Sequence, residues 1–280
     1  GQFVAGVIAR ENAAAVTVRS LAGEQEVKTA DIKARVNTGL SLMPEGFEAL
    51  GAAQLRDIIA YMRSVDGGRF RVLDLKSAFT TTSARGLYQS NAPTPESVQF
   101  KRTGSVKFGG IPFNLVPAEK AANGRNVVQL QGGPKTAFSK TLPVSVEVPV
   151  GGFRANRLHF LGGVGGWAHP YARDEFVVMK AVVHFAGGAS ETLEFKNGVE
   201  FADYIARNEV PGSKFCEDLT SGRAQVRWFS AALKNAGSIE KIVLESTNTV
   251  VAPTTFALTA ELADPNAAPL KAPAAKPTPD

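Results

Sequence analysis

The sequence predicts a mainly β protein: an antiparallel β-sandwich of jelly-roll type, preceded by a small unit of β-hairpin plus helix. Three observations carry this. Residues 69–262 alternate apolar and polar side chains with a period of two, as in Val144-Ser145-Val146-Glu147-Val148 and Phe256-Ala257-Leu258-Thr259-Ala260-Glu261-Leu262. The 27 glycines and 16 prolines amount to about 15 % of the chain, above an average near 12 %, which suits many short strands joined by turns. No helical pattern of 10–15 residues separates the strand candidates, so a parallel α/β sheet is not expected.

In chain order, Phe3-Val4, Val7-Ile8, Val16-Thr17-Val18 and Val27 mark short strands, with Ala22-Gly23-Glu24 as the hairpin turn. Ser41-Leu42-Met43-Pro44-Glu45-Gly46-Phe47 is too rich in breakers for regular structure. Leu55, Ile58, Ile59 and Met62 then follow i, i+3, i+4, i+7 and predict an amphipathic helix ending near Ser64. Val65-Asp66-Gly67-Gly68 separates this module, residues 1–65, from a sandwich over 66–263. Nine or ten short strands are expected in the sandwich, and the runs Phe176–Phe185 and Ile239–Leu244 should be central strands buried on both faces. Residues 264–280 hold five prolines and almost nothing to bury, which predicts a disordered tail.

Composition excludes several functions. With 44 % hydrophobic and 20 % charged residues the chain can bury a core, and intrinsic disorder is excluded for most of it. The net charge of +5 comes without any run of five or six like charges. The excess sits partly in Arg69, Arg71, Lys76, Arg85, Lys101, Arg102 and Lys107, too thin a stripe for nucleic acid. No apolar stretch is long enough to span a bilayer. The chain opens at Gly1, so a signal peptide or a longer N-terminal part is expected to have been removed.

The single cysteine, Cys216, rules out an internal disulfide and every cysteine-based zinc site. The two acids that follow it should raise its pKa, leaving an idle thiol. There is no GxSxG, no Walker lysine and no dinucleotide fingerprint. No acid stands in a setting that asks for an unusual pKa, and the chain is expected not to be an enzyme. His159 and His184 fall inside strand patterns and are expected to be hydrogen-bonded structural residues.

The most informative segment is Gly162 to Glu175, read as a glycine-rich loop carrying Trp167, His169, Tyr171 and Arg173. Asp203 and Tyr204 form a second cluster, and Trp228 sits on a later strand. Sugars need this mixture, because their C–H faces stack on aromatic rings while their hydroxyls bond charged groups. The competing reading has the tryptophans closing the sandwich core. Met43 also reads two ways, as a plug over the following helix or as a soft axial ligand for haem iron.

Two family resemblances bear on these motifs. Gly6-Val7, Val16 to Val27, Ser41-Leu42-Met43-Pro44-Glu45-Gly46 and Leu55 to Met62 resemble the C-terminal half of the haem-binding domain of large secreted bacterial dehydrogenase-like proteins. That resemblance implies Met43 as axial ligand of a c-type haem in the intact protein. The chain has no CxxCH and cannot attach haem itself. Gly109-Gly110-Ile111-Pro112-Phe113-Asn114-Leu115, Val144 to Gly151, Leu158-His159-Phe160-Leu161 and Phe201-Ala202-Asp203-Tyr204 resemble the galactose-binding-like sandwiches appended to bacterial glycoside hydrolases. This second resemblance implies a secreted or periplasmic setting, binding to a polysaccharide or docking onto the rest of a parent protein, and in many members a structural calcium. The expectation is thus a non-catalytic carbohydrate-binding accessory domain. Electron transfer through a haem closed by Met43, and a purely structural docking domain, are the alternatives.

Overall fold

A computed structural model describes residues 3–20, 23–37, 51–52, 54–55, 68–85, 87–90, 97–120 and 122–263. The chain divides into two compact units, Gly1–Arg63 and Ser64–Asp280. The Met43 loop, most of the 55–62 segment and the 264–280 tail lie outside the described residues.

In the first unit, β1 (Val7–Glu11), β2 (Ala15–Ser20) and β3 (Gly23–Lys28) form an antiparallel three-stranded meander. Asn12 sets the first turn, its side-chain oxygen accepting from the N–H groups of Ala14 and Ala15 at 2.9 Å each. Val16 is buried, whereas Phe3, taken above for a strand, lies outside the sheet and is exposed. A helical bond from Leu55 N to Gly51 O, 3.1 Å, falls at the start of the expected helix.

The second unit is mainly β, built on antiparallel sheets. One sheet joins β8 (Ser145–Phe153), β11 (Val177–Phe185), β12 (Ser190–Lys196) and β16 (Ile239–Ser246) in the order 12-11-16-8. A second joins β4 (Phe70–Val72), β9 (Ala155–Gly162), β14 (Lys214–Phe215), β15 (Arg227–Ala232) and β18 (Ala257–Leu262) in the order 14-15-9-18-4. Between them lies one core, where Val183, Phe185, Ile242 and Leu244 share a cluster with Leu158, Phe160, Phe229 and Leu258. Phe160 stacks on Phe229 at 4.9 Å and 8°. Phe195 meets Phe160 edge-on at 5.0 Å.

The second sheet is covered on its other face as well. The hairpin of β5 (Gly104–Phe108) and β6 (Ile111–Leu115) contributes Val106, Ile111, Phe113 and Leu115 to a second core with Leu161 and Ala257. The strands buried on both faces are therefore β9 and β18. β11 and β16 are central in their sheet, as expected, but Lys180, Val182, His184, Lys241 and Val243 leave their outer face half-buried.

Among the described residues this unit holds fifteen strands, against the nine or ten expected. Several span only two or three residues, and one long pair is broken in two. After Gly163, at φ +59°, β9 continues as β10 (Val164–Gly166). β17 (Ala252–Thr255) precedes β18 by the single residue Phe256. β10 and β17 pair antiparallel and belong to a small sheet with β7 (Val128–Gln129) and β13 (Ala202–Asp203), in the order 13-10-17-7. The β10–β13 pair is the parallel one.

Candidate functional site

The glycine run before Trp167 is strand, which corrects the reading of the whole 162–175 segment as a loop. Val164, Gly165 and Gly166 pair with Thr254, Pro253 and Ala252. The loop proper starts at Trp167, which turns the chain in the left-handed region at φ +65°.

Trp167 is half-buried. Its ring lies against Gly133, where a Cβ would collide with it, and edge-on to Tyr88 at 6.1 Å. Tyr88 in turn meets Tyr204 at 4.3 Å, and its hydroxyl is 2.7 Å from that of Thr254. Burial pushes the Tyr88 phenol well above its ordinary pKa, so it stays protonated.

Beyond Trp167 the loop is held by one residue that sequence reasoning did not single out. Asn197 has no exposed surface. Its Oδ1 accepts from His169 N at 2.8 Å, and its Nδ2 donates to the carbonyls of Ala172 and Asp174, each at 2.9 Å. Three backbone groups of a surface loop thus converge on one buried amide. Tyr171 N donates to Ala168 O at 2.9 Å, closing a turn inside the loop.

The structure brings the two predicted clusters together but gives them different roles. β13 runs parallel beside β10, and Asp203 N donates to His169 O at 2.8 Å. The Asp203 carboxylate is buried and accepts from Ile205 N at 2.9 Å. Its carbonyl accepts from Gln225, which also accepts from the fully buried Arg227 at 3.2 Å. Asp203 and Tyr204 therefore support the loop from beneath. His169 is half-buried, while Tyr171, 68 % exposed, and Arg173 face solvent. Among the described residues the His169 ring, Tyr171 hydroxyl and Arg173 guanidinium engage no side chain or backbone group.

The remaining titratable groups are structural in placement. His159 is buried and bonds Glu261 Oε2 through Nε2 at 3.2 Å. Glu261 Oε1 takes two donors from Arg69, at 3.0 and 2.7 Å. Burial lowers the His159 pKa, so the ring is neutral and donates from Nε2, which accounts for the unpartnered Nδ1. Burial pushes Glu261 up, but the Arg69 and His159 hydrogen bonds outweigh it and hold the carboxyl below its ordinary range. His184, expected to be hydrogen-bonded, makes no side-chain bond among the described residues. Trp228 is half-buried against the second core, stacked near His159 at 6.1 Å.

Among the described residues four carboxyls depart from the expectation of ordinary acids, and two of them, Glu24 and Glu209, are exposed and lowered chiefly by their hydrogen bonds to Arg19 and Arg207. The other two are at least partly buried. Glu261 is one; burial raises the other, Glu200, whose Oε2 accepts from Lys196 N at 2.8 Å. Cys216 has its pKa pushed up to about 12, chiefly by burial, with the neighbouring Glu217 a lesser cause. Among the described residues no group of three His, Cys, Asp or Glu side chains is placed to hold a metal ion. Nor is any helix there long and apolar enough to cross a membrane. Met43, the expected axial ligand of a haem, lies outside the described residues.

No protein-family model matches the chain, and no curated protein matches it.

Proposed function

We propose that residues 66–263 are a non-catalytic carbohydrate-binding module, of the galactose-binding-like jelly-roll type, within a larger exported bacterial protein. The observation that carries this reading is the 167–175 loop. It presents the exposed ring of Tyr171 beside Arg173 and His169 while Asn197 fixes its backbone from below.

A sugar ring stacks on an aromatic face and its hydroxyls accept and donate at charged or imidazole groups. Holding those groups on a pre-ordered loop reduces the entropy lost on binding. In this arrangement Tyr171 is the platform, the edge of Trp167 extends it, and Arg173 and His169 bond hydroxyls. Asp203 and Tyr204 keep the loop in place. The remainder of the parent protein supplies whatever chemistry acts on the polymer.

Affinity electrophoresis of the full chain against soluble plant, algal and bacterial polysaccharides tests the reading. Retardation by at least one polymer is the expected result. Unchanged mobility in every gel would leave a docking domain without a glycan ligand.

A further inference from the structure

A second feature of the unit lies outside the 167–175 loop. Thr80–Thr82, Arg85, Asn123, Arg125, Phe138 and Thr141 line much of a groove of about 610 Å³, within the roughly 300–1,000 Å³ usual for ligand sites. Arg85 and Arg125 are both exposed, and among the described residues neither has a carboxylate partner. Among the described residues no acidic side chain lines the groove.

The two arginines stand on segments that are locked together. Thr81 bridges Val127 in antiparallel sense, and Asn126 N donates to Thr81 O at 2.9 Å. The buried Asn126 side chain accepts from Ser83 N at 2.8 Å and donates to Ser83 Oγ and Val116 O at 2.9 Å each. Arg125 immediately precedes this clamp and Arg85 follows Ser83 by two residues. Two arginines on segments locked to each other, with no carboxylate partner among the described residues, are suited to an oxyanion, which takes paired N–H donors from each. The Thr82 hydroxyl, an acceptor from Ala84 N at 3.3 Å, keeps its own proton free to donate.

The groove and the seat of Trp167 share one segment of chain. Ser139 N donates to Tyr88 O at 3.0 Å and Ser139 Oγ to Gly132 O at 2.8 Å. One segment, 132–142, therefore gives the groove its Phe138 and Thr141 wall and gives Trp167 its seat at Gly133.

We infer that the groove is an oxyanion site, and that it takes a sulfate or carboxylate carried by the sugar chain bound at the neighbouring loop. The second half of this statement rests on the carbohydrate reading, and the ligand class it names is an acidic polysaccharide. The test measures binding of the full chain to immobilised dextran, dextran sulfate and polygalacturonate, with inorganic sulfate titrated separately in solution. It compares wild type, R85A/R125A and the charge-matched R223A/K234A, whose side chains are exposed and are neither groove-lining nor part of the 167–175 loop. The expected result is an acidic polymer held about tenfold tighter than dextran, with that preference lost in R85A/R125A and kept in R223A/K234A. Equal losses in the two double variants would overturn the site, since general positive charge would then explain the preference. Sulfate binding that depends on Arg85 and Arg125, without retention by any polymer, would uphold the oxyanion site and sink the carbohydrate reading. Retention by dextran alone, with no response to sulfate, would do the reverse.

Discussion

Asn197 Oδ1 accepts from His169 N at 2.8 Å, and the amide carrying that oxygen also donates to two carbonyls of the same loop. A surface loop is thereby tied to a side chain with no exposed surface. Asn197→Ala removes three hydrogen bonds and leaves backbone groups of the loop without this partner, for an expected cost of about 3 kcal/mol. Urea unfolding measures it. Hydrogen exchange should show the His169 amide losing protection first. A cost well under about 1 kcal/mol would mean the loop holds its shape without the clamp.

The His159–Glu261–Arg69 chain sets how stability depends on pH. His159 has a folded pKa below its ordinary 6.5, so the unfolded chain binds the proton first and stability falls as pH drops from 6.5 toward the folded value. Glu261 has a folded pKa below its ordinary 4.5, so its contribution, present above 4.5, fades as pH falls through the folded value. Both push the same way. His159→Gln keeps a donor for Glu261 but does not titrate. In thermal melts it should flatten the decline between pH 6.5 and 4.5 and leave the steeper decline below 4.5 in place. Identical pH profiles for variant and wild type would contradict the placement of a neutral His159.

Gly133 sits at φ +85° with the Trp167 ring against it. Gly133→Ala would strain the backbone and drive a methyl into the indole, for about 1–3 kcal/mol of destabilisation. Tryptophan fluorescence should shift to the red as the ring is displaced outward. An unshifted spectrum with wild-type stability would show that Trp167 is not seated there.

Cys216, buried and with a pKa raised to about 12, should resist thiol reagents in the folded protein at neutral pH and react at once in urea. Rapid labelling of the native chain would contradict its burial.

The main architecture is legible in the sequence because burial on a pleated strand writes itself as alternation. Val177–Phe185 and Ile239–Ser246 are strands largely where the apolar runs predict them. The departures share a cause, since one-dimensional patterns report residue type and not what lies opposite. The segment 162–166 looks like a loop, yet its glycines are required because a Cβ at Gly162 or Gly165 would run into the Thr254 or Ala252 backbone and one at Gly166 into the Tyr88 ring. Asp203 and Tyr204 look like ligands for a sugar, but a two-residue strand beside β10 turns them inward. Nothing around Asn197 distinguishes it from any Asn-Gly turn until the loop carbonyls are seen to converge on it. Arg85 and Arg125 stand forty residues apart in sequence and come to line one groove only because the Ser83–Asn126 clamp joins their segments.

The central claim is that the clamped loop binds carbohydrate through Tyr171. That side chain is exposed and makes no packing the fold needs, so Tyr171→Ala should leave the melting temperature unchanged. The most direct measurement is retardation of wild type and Tyr171→Ala side by side in gels containing whichever polysaccharide retards the wild type. The account predicts about a tenfold loss of affinity in the variant. Equal retardation of the two proteins would contradict it and place the sugar somewhere other than this loop.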